Sequence, residues 1–108
     1  MEDQRIEMGI VKILANKGIP PFLLANNISQ DNFSEVSLYK RDGMIIVDMF
    51  CTDEETGQPL RFRYKYDDKE VLLRIDMTVA GRQSLVFDRQ VELERLLMKK
   101  AALLVIAP

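Results

Sequence analysis

Residues 60–66 read Leu-Arg-Phe-Arg-Tyr-Lys-Tyr and form the most regular alternation of apolar and basic residues in this 108-residue chain. Alternation with a period of two is typical of a β-strand that is buried on one face only. The apolar members would point toward a core, whereas Arg61, Arg63 and Lys65 would point away from it. This segment therefore predicts a sheet with one apolar face and one basic face.

Similar runs lie on both sides of this segment, and short turns separate them. The other strand-like runs are residues 33–39, 44–51, 71–79 and 84–87. The turn-forming segments are residues 40–43, 53–57, 67–69 and 80–82. Among these, Asp42-Gly43 is a strong hairpin signal. Because connections this short cannot carry a parallel crossover, the sequence predicts an antiparallel meander of about five strands.

Both ends of the chain show the helical period. Near the start, the apolar positions are Ile6, Ile10, Ile13 and Leu14. Near the end, they are Leu93, Leu96, Leu97, Ala101 and Leu104. Gly18 is suited to ending the first helix, Pro21 to opening a short helical segment, and Asp88 to capping the last helix. We therefore predict one α+β domain, residues 1–108, in the order α-β-β-β-β-β-α, with both helices covering the apolar sheet face.

The composition excludes several classes of site. The chain has no histidine and one cysteine, Cys51, so neither a Ser-His or Cys-His nucleophile nor a structural zinc site can be built from it. We expect no enzymatic activity, no cofactor and no metal ion. Cys51 lies in an apolar run, where a free cysteine behaves as a small hydrophobic residue. The acidic turn at residues 53–55 matches no calcium-loop spacing and is typical of a solvated hairpin tip.

The expected location is the cytoplasm, with no membrane partner. A single cysteine allows no intrachain disulfide, and the acidic start of the sequence differs from the basic start of a signal peptide. No apolar run approaches the ~20 residues that span a bilayer.

The basic strand face is one candidate binding site. Arg61, Arg63 and Lys65 should share a face with Arg74 of the next strand, near Tyr39 and Phe50. Basic groups interleaved with aromatic rings can hold phosphates and stack bases, which predicts contact with nucleic acid. The alternative is an ordinary solvated face on which Asp48 and Asp76 pair with the arginines. The net charge of −2 predicts no strong general attraction to nucleic acid.

The apolar C-terminal segment is the second candidate. Leu103, Leu104, Val105 and Ile106 lie in a run that is apolar on all sides, so one side needs cover from another chain unless the whole run is buried in the core.

The second sheet face also carries more apolar residues than a solvated face needs. They are Met44, Ile46, Phe50, Leu72 and Leu85. From this excess and the C-terminal run we predict a non-enzymatic protein that acts as a homodimer and binds a protein partner. The alternative is a nucleic-acid-binding sheet.

Overall fold

The fold has the predicted order, with a short 3₁₀ helix between the first α-helix and the first strand. The computed structural model describes the backbone of residues 2–106, and their side chains except those of residues 3, 13–15 and 104–106. The α+β class and the antiparallel meander are confirmed. The elements are α1 (Glu2–Ala15), the 3₁₀ helix (Pro21–Ser29), β1 (Phe33–Arg41), β2 (Met44–Thr52), β3 (Pro59–Tyr66), β4 (Leu72–Val79), β5 (Arg82–Asp88) and α2 (Arg89–Ile106).

The five strands form one sheet in the order of the sequence, and every neighbouring pair is antiparallel. At the β1–β2 turn, Asp42 and Gly43 have φ values of 53° and 77°. Ala80 and Gly81 form the β4–β5 turn, with φ values of 50° and 76°. Two consecutive positive φ values fit the tight hairpin turns that match the twist of the strands. β5 consequently begins at Arg82, which the sequence placed in the turn.

The two faces of the sheet differ in composition. We call the face that carries Val47, Met49 and Tyr66 the core face, and the opposite face, which carries Asp48 and Arg63, the polar face. The core comprises Leu24, Val47, Met49, Tyr66 and Leu72, and all five are buried. Adjacent residues of β2 thus belong to different surroundings, as the strand alternation predicts.

A bulge at the start of β4 moves one predicted residue to the other face. Lys65 is opposite Arg74, but the next residue of β3, Tyr66, is opposite Leu72, so Leu73 has no counterpart. Leu72 therefore lies in the core instead of on the polar face. The prediction that put Leu72 on the second face is wrong, because strict alternation does not continue through a bulge.

The segment before β1 covers part of the core face. The Lys17 carbonyl accepts a hydrogen bond from the Leu72 backbone N–H (2.8 Å), and the Ile19 carbonyl accepts one from the Tyr66 hydroxyl (2.6 Å). Gly18 has a φ of 85°, and a Cβ on it would lie 2.8 Å from Leu72 Cβ, so only glycine fits this close crossing. The chain then reaches the 3₁₀ helix, which lies over β1 and β2 and places Leu24 in the core.

The two α-helices pack on each other and not across the sheet. α1 packs against α2, whereas the contacts of α2 with the sheet are few and lie mainly on β4 and β5. A Cβ on Gly9 would lie 3.2 Å from Leu96 Cδ1, so the missing side chain allows the helices to approach closely. Arg89 donates hydrogen bonds to the Leu72 and Asn16 carbonyls (2.6 Å each), which fixes the base of this helix pair against β4. The prediction that both helices cover the apolar sheet face is wrong for a single chain.

The resulting molecule is elongated. Its dimensions are 56 × 32 × 23 Å and its radius of gyration is 17.1 Å. A compact domain of this length has a radius of gyration of about 13 Å. The difference arises because the helix pair extends from one end of the sheet and does not fold back onto it.

Candidate functional site

The centre of the polar face is an ion pair with a tyrosine beside it. Asp48 of β2 lies opposite Arg63 of β3 and accepts two hydrogen bonds from its guanidinium, Nε to Oδ1 at 2.7 Å and Nη2 to Oδ2 at 3.0 Å. The Tyr39 hydroxyl of β1 donates a third bond to Oδ2 at 2.7 Å. Asp48 is only 7% exposed. Three neighbouring strands thus contribute one side chain each to a closed polar cluster.

This arrangement keeps Asp48 ionised. Burial alone would raise the pKa of the Asp48 carboxyl, but the hydrogen bonds from Arg63 and Tyr39 outweigh it, so the pKa lies below its ordinary value. The same bonds raise the pKa of the Arg63 guanidinium and of the Tyr39 hydroxyl. None of these groups is poised to exchange a proton near neutral pH. The cluster is therefore suited to holding strands together and not to acid–base chemistry.

A second ion pair lies beside the first. Arg74 Nε is 2.9 Å from Asp76 Oδ2, and Arg74 Nη1 is 3.5 Å from Asp88 Oδ2. Asp76 is 3% exposed, and its hydrogen bond from Arg74 is the largest cause that lowers the pKa of its carboxyl. Arg63 and Arg74, two of the four predicted nucleic-acid contacts, are thus engaged by carboxylates.

The other two predicted contacts are differently placed. Arg61 donates from Nη2 to Thr78 Oγ1 at 3.4 Å, and its buried Nε has no hydrogen-bond partner within the described part of the chain. Lys65 lines a shallow cavity of about 330 Å³ near the β1–β2 turn. The four basic residues share one face, as predicted, but the carboxylates that neutralise two of them leave no continuous basic stripe. The hydrogen bond from Tyr39 to Asp48 was not predicted. The alternation of residues in the two paired strands does indicate that both side chains lie on the same sheet face.

The remaining polar candidates are structural. In the acidic turn, the Asp53 carboxylate accepts a hydrogen bond from the Glu55 backbone N–H at 2.9 Å. Within residues 2–106, the described side chains form no cluster of three or more potential metal ligands. Cys51 is buried on the core face, and burial, followed by the charge of Asp53, raises the pKa of its thiol. It therefore has no thiolate character near neutral pH.

The predicted C-terminal interface falls partly outside the description. α2 continues as a helix to Ile106, and Leu103 is half-buried. The side chains of Leu104, Val105 and Ile106 lie outside the described set. Among the described helices, none is both long enough and apolar enough to cross a membrane.

Large apolar side chains are exposed on the helix pair instead. α1 exposes Met8 and Val11, and α2 exposes Val91, Leu97 and Met98, the last of these at 72%. Leu97 was predicted as part of the apolar stripe of the last helix. Leu96 of that stripe lies against Gly9 of α1, whereas Leu97 is exposed. The 3₁₀ helix exposes large apolar side chains as well, namely Phe22, Leu23 and Ile28.

The core face is also incompletely covered. Its residues farthest from the 3₁₀ helix are half-buried, and neither α-helix packs across β3. These residues are Leu60, Phe62, Met77 and Val79. We call them the open core patch. A central strand normally has both faces protected when its side chains are this apolar, so the open core patch is a further unpartnered apolar surface among the described residues.

Acidification is expected to destabilise the fold below about pH 4. The pKa values of Asp48, Asp67 and Asp76 are lower in the folded chain than the value of about 3.9 in an unfolded one. The unfolded chain therefore binds more protons in this range, and the free energy of unfolding falls as the pH falls. Urea unfolding at fixed protein concentration, between about pH 7 and pH 2, measures the effect. Asp76→Asn should flatten this pH dependence, and an unchanged profile would contradict the assignment.

Comparison with protein-family models, with curated proteins and with solved structures finds no match to this chain.

Proposed function

We propose that this chain is a non-enzymatic interaction protein that acts as a homodimer and binds a protein partner. The supporting observation is the amount of surface that a single copy leaves in solvent. One chain of 12.5 kDa exposes 7713 Å². A folded monomer of this mass exposes about 6,200 Å². The difference, roughly 1,500 Å², is the surface that a compact fold of this size would bury.

This difference has the size of a stable protein interface. A standard interface buries about 800 Å² per partner, and permanent homodimers bury about 1,000–2,500 Å² per partner. The exposed apolar residues of the helix pair and the open core patch supply surface of the right character, since homodimer interfaces are more apolar than ordinary surface. A dimer would restore the compactness that a radius of gyration of 17.1 Å lacks.

The nucleic-acid alternative has weaker support. Arg63 and Arg74 already pair with carboxylates, and Asp48 and Asp76 place negative charge in the middle of the basic residues. A phosphate backbone would meet repulsion there and would have to displace short charge-assisted hydrogen bonds.

A cytoplasmic location remains part of the proposal. The only cysteine is a free, buried thiol, which is typical of a reducing compartment.

Size-exclusion chromatography with light scattering tests the proposal. We expect a species of twice the 12.5 kDa mass of one chain at micromolar concentration. Absorbance at 260 nm should show no excess over 280 nm, because the dimer carries no nucleic acid. A monomer at every concentration would overturn the homodimer, and co-purifying nucleic acid that dissociates in high salt would favour the alternative.

A further inference from the structure

We propose that the helix pair of each copy covers the open core patch of the other copy, so that the two chains exchange the cover of their sheets. This inference rests on the proposed homodimer and specifies its geometry. It assigns the same occupant, a second copy of this chain, to the helix pair and to the open core patch.

The sheet lacks helical cover on part of its core face. In α+β domains, a sheet with one apolar face is covered by helices on that face. Here the 3₁₀ helix covers β1 and β2, and no described helix packs over the far ends of β3 and β4. Phe62 and Met77 lie opposite each other at the centre of the open core patch, and both are half-buried. The missing layer is therefore a helical layer over the far ends of β3 and β4.

The helix pair lacks a partner for its exposed apolar side chains. Leu96 of α2 packs against Gly9 of α1, whereas Val91, Leu97 and Met98 are exposed. Large apolar side chains exposed together on a helix favour a contact with another apolar surface. Arg89 fixes the base of the helix pair against β4, so the pair has no described means of folding back over its own sheet. We assign the cover of these exposed residues to another chain.

The helix pair and the open core patch are compatible in size. α2 has 18 residues and is about 27 Å long at 1.5 Å per residue. The open core patch occupies residues 77–79 of β4 and 60–62 of β3, about 10 Å along each strand at 3.4 Å per residue. The two strands lie about 5 Å apart, so one helix about 10 Å in diameter is wide enough for the patch. The helix pair of one copy is thus large enough to cover the open core patch of the other copy.

Other contacts between two copies would cover only one of the two surfaces, the helix pair or the open core patch. Helix pair against helix pair would bury Leu97 but leave the open core patch in solvent. Sheet against sheet would bury Met77 but leave both helix pairs exposed. A reciprocal contact related by a two-fold axis uses each surface once per copy and closes the assembly. It also buries two patches per chain, in keeping with the roughly 1,500 Å² that a compact fold would have removed.

Disulfide trapping between two differently labelled copies tests this geometry. In a Cys51→Ala background, one protein carries Met77→Cys and the other, isotopically heavy, carries Leu97→Cys. The two are mixed, allowed to exchange subunits and oxidised, and mass spectrometry identifies the mixed disulfide. The control replaces Met77→Cys with Thr78→Cys, which is one residue away and on the polar face. We expect about tenfold more mixed disulfide for Met77→Cys than for Thr78→Cys, because successive strand residues point to opposite faces.

A second measurement removes dependence on disulfide formation. Met77→Glu and Leu97→Glu should each weaken dimerisation about 100-fold, since either change puts a charge into the apolar contact, and Thr78→Glu should not. Circular dichroism confirms that each variant is folded. A dimer that traps only Leu97 with Leu97, or that tolerates Met77→Glu, would overturn this geometry and leave the homodimer intact. A monomeric parent protein would overturn both.

Discussion

Asp48→Asn is expected to lower the free energy of unfolding by about 3 kcal/mol at neutral pH. The substitution keeps the shape of the side chain but leaves the largely buried Arg63 guanidinium without its counter-charge. Removing one partner of a buried ion pair costs about 3–5 kcal/mol. The lower end applies because the Arg63 side chain is 27% exposed and retains some contact with water. Urea unfolding followed by circular dichroism, at one protein concentration, measures the loss.

Two control variants show whether the loss of stability comes from the buried ion pair. Asp68→Asn removes the same charge at an exposed turn position and should change the free energy by less than about 0.5 kcal/mol. The double variant Asp48→Leu with Arg63→Met should recover most of the stability, because apolar residues of similar size replace both charges. A loss below about 0.5 kcal/mol for Asp48→Asn would show that the pair behaves as a solvent-exposed one.

The strands and their turns could be predicted because they depend on local chemistry. Asp42-Gly43 supplies the positive φ values that a two-residue hairpin requires, and the alternation of residues 60–66 separates the two faces of β3. Short connections then leave antiparallel neighbours as the only arrangement. No long-range information is needed for any of these steps, which is why the sheet order follows from the sequence alone.

The position of Leu72 could not be predicted because it depends on a bulge. Val71, Leu72 and Leu73 are all apolar, so the sequence offers no polar residue that would mark which of them faces the core. The choice is made by the Lys17 carbonyl, which accepts a hydrogen bond from the Leu72 backbone, and by Gly18, which packs directly on its side chain. Those partners are more than fifty residues away in the sequence. Register at such a point is a tertiary property.

The placement of the helices was missed for a related reason. Periodicity identifies which side of α2 is apolar, and Leu93, Leu96 and Leu97 were correctly assigned to an apolar surface. It does not say whether α1, the sheet or another chain covers each of them. Gly9 lets α1 approach Leu96 closely and so decides the partner. The expectation that helices cover the sheet is retained in our proposal, with the cover supplied by the second copy.

The polar face was predicted in outline. Arg61, Arg63 and Lys65 follow directly from the alternation, and pairing of the arginines with Asp48 and Asp76 was one of the two interpretations left open. The structure contains that pairing for Arg63 and Arg74. The sequence could not rank the interpretations, because a charge row on a strand looks the same whether its counter-charges lie across the sheet or on a ligand.

Leu24→Ala is expected to lower the free energy of unfolding by about 3 kcal/mol. Leu24 is 3% exposed and joins Val47, Met49, Tyr66 and Leu72 in the core, so it is the main anchor of the 3₁₀ helix on the sheet. Truncating a buried leucine costs about 2–5 kcal/mol through lost transfer energy and the cavity that remains. A 3₁₀ helix has weak hydrogen-bond geometry of its own and depends on such an anchor. Chemical denaturation at fixed concentration measures the change.

The adjacent residue provides a matched control for this prediction. Leu23 belongs to the same helix but is 44% exposed, so Leu23→Ala should cost less than about 1 kcal/mol. A large loss for Leu24 and a small one for Leu23 would show that the 3₁₀ helix is held to the sheet through one face. Equal and small losses would mean that the 3₁₀ helix is not part of the cooperative core, and the covered part of the core face would then be open like the rest. If instead Leu23→Ala weakens dimerisation without changing stability at high protein concentration, the interface would extend onto the 3₁₀ helix.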